Sequence, residues 1–297
     1  MSKEVSVSIL DPKQTAKAVE TYGVAKARLS YPRMTVLAVL AGAYIGIGAQ
    51  LFAFVTSTFD GSAASPPVKF LGGLAFSVGL VFVVIAGAEL FTGNCLLLVA
   101  WFHRSLRLYE VLIDWIIVWT FNFVGAISIS ALLVGTGING YNGSDFTPTG
   151  QTVCKISGGK ADERAYEMFI RGIFANMLVC LAVILAIASK TPSGKILGVA
   201  LPVATFVALG FDHSIANMTF FSLATMLSCD PEDQPRYWLN LLLSTLGNIL
   251  GASILAVSYF FTYVRDERPA EDKDDDASDD VDEDDCSALW MPLWRRM

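Results

Sequence analysis

Four stretches of this sequence contain no ionisable Asp, Glu, Lys, Arg or His at all: Met34–Thr56, Trp115–Gly135, Gly172–Ser189 and Tyr237–Val264. Each approaches or exceeds the ~20 residues with which a helix crosses a ~30 Å hydrocarbon layer. Charged residues make up 16% of the 297 residues, against about 25% in soluble domains. Mean hydropathy is +0.52. A chain so depleted in charge cannot cover a soluble surface, and the expected class is an all-α, multi-pass integral membrane protein.

Two further apolar segments have an unusual length. Phe70–Phe102 runs for 33 residues with Glu89 as its one charge, and Ile196–Cys229 runs for 34, interrupted by Asp212 and His213. Each is too long for one crossing and too short for two crossings with a loop. A helix broken at mid-membrane reconciles the lengths, provided the irregular backbone is buried in protein or lines a cavity. Paired interruptions at matching places in two halves mark a binding site.

The halves match in detail. "ELFTGN" (Glu89–Asn94) and "DHSIAN" (Asp212–Asn217) both run acid, four residues, Asn, and "NFVGA" (Asn122–Ala126) and "NILGA" (Asn248–Ala252) follow in the same order. Small residues such as Gly and Ala at these points allow close helix packing in a membrane. The expected fold is six transmembrane helices as an inverted three-plus-three repeat, with the second and fifth helices broken.

Lys and Arg placement sets the orientation. Lys3, Lys13, Lys17, Lys26, Arg28, Arg33, Arg104, Arg107, Lys190, Lys195, Arg265 and Arg268 fall on one side; the other receives Lys69, Lys155, Lys160, Arg164 and Arg236, with Arg171 near a span end. Both termini are therefore expected in the cytoplasm of a cell whose plasma membrane holds the protein. Residues 1–33 read as a cytoplasmic arm without a signal peptide's apolar core. Asp11-Pro12 makes a good helix start there, and Ile9, Ala16, Val19 and Val24 give the arm one apolar side. Residues 34–264 form the channel domain. Residues 265–297 form a tail with thirteen acids between Arg265 and Asp285, a composition expected to stay solvated. Its ending places Trp290, Trp294, Arg295 and Arg296 together, a set suited to a membrane interface or a partner.

Cys95 and Cys180 fall within spans and read as small apolar fillers. Cys154 and Cys229 fall on the outer side, where sequence supplies no distance, and the expectation is two free thiols. "NGS" at Asn142 is a glycosylation sequon on an outer loop. There is no Cys/His cluster of metal-ligand spacing and no nucleophile–base or phosphate-cradling motif, so no enzyme, cofactor, metal or nucleic-acid function is expected.

"AELFTGN", "RGIFANMLVCLA" (Arg171–Ala182), "GFDHSIANM" (Gly210–Met218) and "NLLLSTLGN" (Asn240–Asn248) resemble, in order, four motifs of the formate/nitrite transporter family. The resemblance covers about residues 10–265 and implies an aquaporin-like protomer in a homopentamer, one pore per protomer, carrying small monovalent anions or their acids. By it, His213 is the central pore histidine, Thr92 its partner on the loop that breaks the second span, and Asn248 a hydrogen-bonding residue near that loop. Lys160 and Asn176 match the family's outer-vestibule pair. Phe76, Leu80 and Phe206, with Leu90, Phe91 and Val179, match its constrictions. Three positions depart from the common pattern: Asp212 stands for Glu, and Ser222 and Leu243 stand for prolines.

An intramembrane ionisable pair is costly and functional by default. His213, whose imidazole exchanges protons near neutrality, is expected to act on the substrate, and Asp212 to cap the half-helix that follows it. The expected partners are a one- to three-carbon monocarboxylate, or an inorganic anion such as nitrite or hydrosulfide, protons and membrane lipid. An aquaporin-type neutral-solute channel is the alternative, although neither break carries Asn-Pro-Ala.

Overall fold

The computed structural model describes residues 9–57, 64–142 and 145–266. The acidic tail from residue 267 on, and Gly143 and Ser144 of the sequon, lie outside the described residues. Among the described residues the regular structure is helical apart from one hairpin of two-residue strands, β1 (Tyr141–Asn142) with β2 (Asp145–Phe146).

α1 (Pro12–Ala27) starts as the sequence predicts, with Asp11 Oδ1 accepting the Gln14 N–H and Gln14 Oε1 accepting the Asp11 N–H. Its placement differs from a solvated arm. Ala16, Val19 and Val24 are buried, together with Glu20 and Lys26, because α1 lies against α5 (Leu97–Phe102) and α8 (Ala165–Ala188). Ile9 is not part of this apolar side. It precedes the helix, is exposed, and bridges to Ser189 while the Leu10 N–H reaches Ala188 O.

Among the described residues, five helices are long and apolar enough to cross a membrane: α2 (Tyr31–Thr56), α3 with its π-turn (Pro66–Gly87), α6 (Leu108–Gly135), α8, and α11 with its π-turn (Gln234–Val264). They make this an integral, multi-pass membrane protein. Ile116, Leu132, Leu197, Leu201 and Leu242 are exposed on outer helix faces, an apolar surface suited to hydrocarbon.

After α3 and its π-turn the chain is extended at Ala88–Leu90, then resumes as α4 (Phe91–Asn94) and α5. After α9 (Pro192–Ala208) it leaves helical form at Phe211–His213 and resumes as α10 (Ser214–Leu227). Gly87 and Gly210, each two residues before an acid, hold φ of +79° and +73°, a region that glycine enters without the Cβ penalty. The repeated Asn-x-x-Gly-Ala motif is a packing device. A Cβ on Gly125 would come within 2.0 Å of Val39 O on α2, and one on Gly251 within 2.2 Å of Ile173 O on α8.

One expectation is overturned. Cys154, on α7 (Pro148–Ala161), and Cys229 form a disulfide, with Cα atoms 5.4 Å apart. α7 lies across α10, where Ser157 Oγ donates to Phe220 O, and the left-handed turn at Ser228 brings Cys229 back beneath it. That tertiary docking has no local sequence signal. Closing a loop across 75 residues stabilises the fold by about 2–4 kcal/mol in the chain-entropy account. Cys154→Ser is expected to lower the melting temperature of the detergent-purified protein by several degrees, with wild-type protein under reductant showing the same fall; a melt unchanged in both would contradict the bridge.

Candidate functional site

The site is built where the two breaks meet, and the first problem there is the exposed backbone. Peptide groups released from a helix within a membrane need partners. Asn122 of α6 supplies them at the first break: its Oδ1 accepts the Phe91 N–H (2.9 Å), and its Nδ2 donates to Glu89 O and Ala38 O (both 2.8 Å). Asn248 of α11 does the same at the second: Oδ1 accepts the Ser214 N–H (2.9 Å), and Nδ2 donates to Asp212 O (2.9 Å) and Gly172 O (2.8 Å). Each amide thus ties a break to the first residue of its new helix and to a neighbouring span. Asn176, expected at the outer vestibule, donates from Nδ2 to Asn248 O (2.8 Å) and is fully buried.

The acids at the breaks are also matched. Asp212 Oδ1 accepts from Lys160 Nζ (2.5 Å) and Asn217 Nδ2 (2.8 Å), and Asn217 Nδ2 also reaches Asn240 Oδ1. Glu89 Oε2 accepts from Lys26 Nζ and Asn94 Nδ2 (both 2.8 Å), and Asn94 Nδ2 also reaches Asp114 Oδ1 (2.9 Å). The expected cap role of Asp212 is therefore corrected. The cap of α10 is His213, whose Nδ1 accepts the Ala216 N–H at 3.1 Å, while the Asp212 carboxylate points to the cation Lys160.

That cap fixes the chemistry of the imidazole. A neutral ring whose Nδ1 accepts carries its proton on Nε2, and Nε2 lies 2.9 Å from Thr92 Oγ1. His213 thus presents an N–H across the gap between the two breaks. Its ring stacks on Phe206 (5.7 Å, 22°), which meets Phe76 edge to face (5.8 Å, 83°). Thr92, His213, Phe206 and Phe76 form one contiguous, buried set. Leu80, Leu90, Phe91 and Val179 are buried as well, but the Phe91 ring meets Trp115 of α6. Cys180, read as a filler, donates from Sγ to Thr92 O at 3.6 Å.

Five participants have no site role in the sequence reading. Lys26 and Asp114 complete the network at Glu89. On the outer side Glu163 pairs with Arg171, while Arg236 donates to Ala161 O and Glu163 O. One signal for Lys26 was present: it precedes Gly42 by sixteen residues, as Lys160 precedes Asn176.

A helical, multi-pass membrane protein with two interrupted helices pinned at a buried polar centre has the architecture of a transport protein. The comparisons define it further. The sequence model of the formate/nitrite transporter family matches residues 13–262, and the chain belongs to that family. It is 38% identical to a probable formate transporter of Methanothermobacter thermautotrophicus over 275 residues, covering 87% of this chain and 99% of that one. It is 31% identical to the formate channel FocA of Escherichia coli K12, covering 90% and 99%. Among solved structures it resembles an FNT family ion channel (TM-score 0.74, 26% identity, 84% and 98% covered) and a pentameric formate channel with formate bound (TM-score 0.69, 29% identity, 78% and 96% covered). The family consists of channels and transporters, and membership supports anion transport.

Loss of either asparagine clamp leaves three buried backbone partners unpaired, at about 1–3 kcal/mol for each group. Asn122→Leu and Asn248→Leu are therefore each expected to cost several kcal/mol and to abolish a monodisperse folded peak in detergent. The exposed Thr136→Val on α6 serves as control and is expected to melt within a degree or two of wild type.

Proposed function

We propose that this protein carries small monovalent anions, foremost one- to three-carbon monocarboxylates such as formate, across the plasma membrane together with a proton or as the neutral acid. The protomer crosses the membrane six times as an inverted repeat with broken second and fifth spans, has both termini in the cytoplasm, and assembles as a pentamer with one pore in each protomer. Residues 34–264 form the channel domain, flanked by the arm and the tail.

The observation that carries the reading is the His213–Thr92 contact between the two breaks, roofed by Phe206 and Phe76. A bare anion faces a desolvation cost of tens of kcal/mol in the Born limit. Lys160, whose side chain is partly exposed at the outer end, attracts the anion. The aromatic pair excludes water and free ions. Beyond it, His213 Nε2–H and the Thr92 hydroxyl offer hydrogen-bond donors to a carboxylate or carboxylic acid. Asn248 and Asn176 act indirectly, since their amides are committed to the backbone and to each other's helices.

Supporting geometry for orientation comes from the inner side, where α1 and the Phe260–Val264 turn lie together, gathering the Lys- and Arg-rich segments on one face. FocA and the formate-bound pentamer lend formate as the first substrate to try.

The test is flux into liposomes holding the purified protein and an internal pH dye. Formate, lactate, acetate, nitrite and hydrosulfide are offered separately at outside pH of about 5.5 and about 7.5. Acid-stimulated uptake of a monocarboxylate is expected, reduced at least about tenfold in His213→Phe. Equal flux in parent and variant would make His213 structural; preference for nitrite or hydrosulfide would move the substrate within the family. Swelling in glycerol or urea without anion flux would indicate a neutral-solute channel.

A further inference from the structure

Glu163 lies in the turn between α7 and α8, outside every motif, yet its side chain is nine-tenths buried. Its Oε1 is held by Arg171 Nη1. Its Oε2 is buried and reached by no N–H or hydroxyl donor among the described residues, and the same is true of Asp212 Oδ2. The two carboxyl groups are close neighbours, each shifting the other's proton affinity, and both feel the Lys160 cation. Two adjacent buried carboxylates repel when both are ionised, and one proton held by their unpartnered oxygens relieves that repulsion.

We propose that Glu163 and Asp212 share one proton, forming a proton-binding site at the outer mouth that sets how strongly the mouth attracts an anion. The charges facing the pair are Lys160 from α7, Arg171 from α8 and Arg236 from α11; α10 contributes only the neutral amide of Asn217. Asp162 and Asp233 lie near Arg236, further from the pair. Lys160, Arg171, Asp212 and Glu163 sum to +1 with the shared proton present and to zero without it. Binding a proton therefore favours binding an anion at the same mouth, and by linkage the anion favours the proton.

Burial, followed by the neighbouring Asp212, pushes the Glu163 carboxyl up to about 8. The sign follows. Below that pH the pair keeps its proton and the mouth is net positive; above it the proton leaves and the attraction is lost. Glutamine at 163 is neutral at every pH and still offers an N–H to Asp212 Oδ2, so it fixes the charge state that the proton confers.

The effect on flux rests on the transport reading above, whereas the proton site does not, and the experiment separates them. Infrared difference spectra of the purified pentamer or protomer, without substrate, are recorded between about pH 6.5 and about pH 9.5. An Asp114→Asn background removes a further buried acid, leaving Glu89 with its Lys26 partner. Loss of a protonated-carboxyl band at high pH is expected, absent in Glu163→Gln. In Asp212→Asn, which keeps Glu163, the midpoint is expected to fall toward the ordinary carboxyl value. In liposomes the wild-type KM for formate is expected to rise about threefold to tenfold over the same interval, while that of Glu163→Gln stays flat. No titrating band in wild type, or an unchanged band in both variants, overturns the shared proton. A band that behaves as expected, in a protein that carries no anion, upholds the proton site and overturns the transport reading.

Discussion

The structure depends on how peptide groups are satisfied where two helices stop inside the membrane. Water is not there to solvate the released N–H and C=O groups, and each left unpaired costs several kcal/mol in hydrocarbon. Asn122 and Asn248 meet this requirement with the same three bonds: one to the first N–H of the new helix, one to the carbonyl of the preceding acid, one to a carbonyl on the adjacent span. An asparagine suits the task because it combines an acceptor and two donors on one short, planar group. With the breaks pinned, Thr92 on the short helix α4 and His213 on irregular backbone can be held in fixed geometry.

The second constraint is charge. Each break carries an acid whose partner must arrive from elsewhere, and the two deliveries differ. Lys160 comes from α7, tethered to the end of α10 by the Cys154–Cys229 bridge. Lys26 comes from the N-terminal arm and reaches Glu89 only because α1 is docked against α5 and α8. Breaking such a buried pair by removing one partner leaves an uncompensated charge, at about 3–5 kcal/mol. Docking of the arm and integrity of the inner break are thus one equilibrium: what pulls α1 away also strips Glu89 of its cation. His103 and Ser105 add to the hold, both meeting Glu20 of α1.

Much of this was legible in the sequence. Segments of 33 and 34 residues that fit neither one span nor two implied interrupted helices, and the chain is non-helical at Ala88–Leu90 and at Phe211–His213. Asn122 and Asn248 stood out through their shared Gly-Ala neighbours, and the Thr92–His213 contact followed from the motifs. What stayed hidden has a common cause. The burial of α1, the Lys26–Glu89 pair, the Cys154–Cys229 bridge and the position of Glu163 are all set by how short helices outside the spans lie on the bundle. Such docking leaves no period or length in the sequence. Asp212 misled for a related reason. An acid before a helix reads as a cap, but here Lys160 from α7 competes for it, and histidine, one residue on, takes the cap.

That exchange of roles also accounts for the neighbourhood of acid and imidazole at Asp212–His213. If the carboxylate capped α10, His213 would be free to turn, and either ring nitrogen could carry the proton. With Nδ1 tied to the Ala216 N–H, the neutral ring has one tautomer and one direction, Nε2–H toward Thr92. The carboxylate, drawn away by Lys160 and Asn217, does not accept from the imidazole and so does not hold it as an ion pair. A neutral ring oriented by the backbone and not by a counter-charge holds its Nε2–H in one direction as a hydrogen-bond donor, with no salt bridge to break. The adjacent residues divide the work: one binds Lys160, and the other closes α10 and faces Thr92.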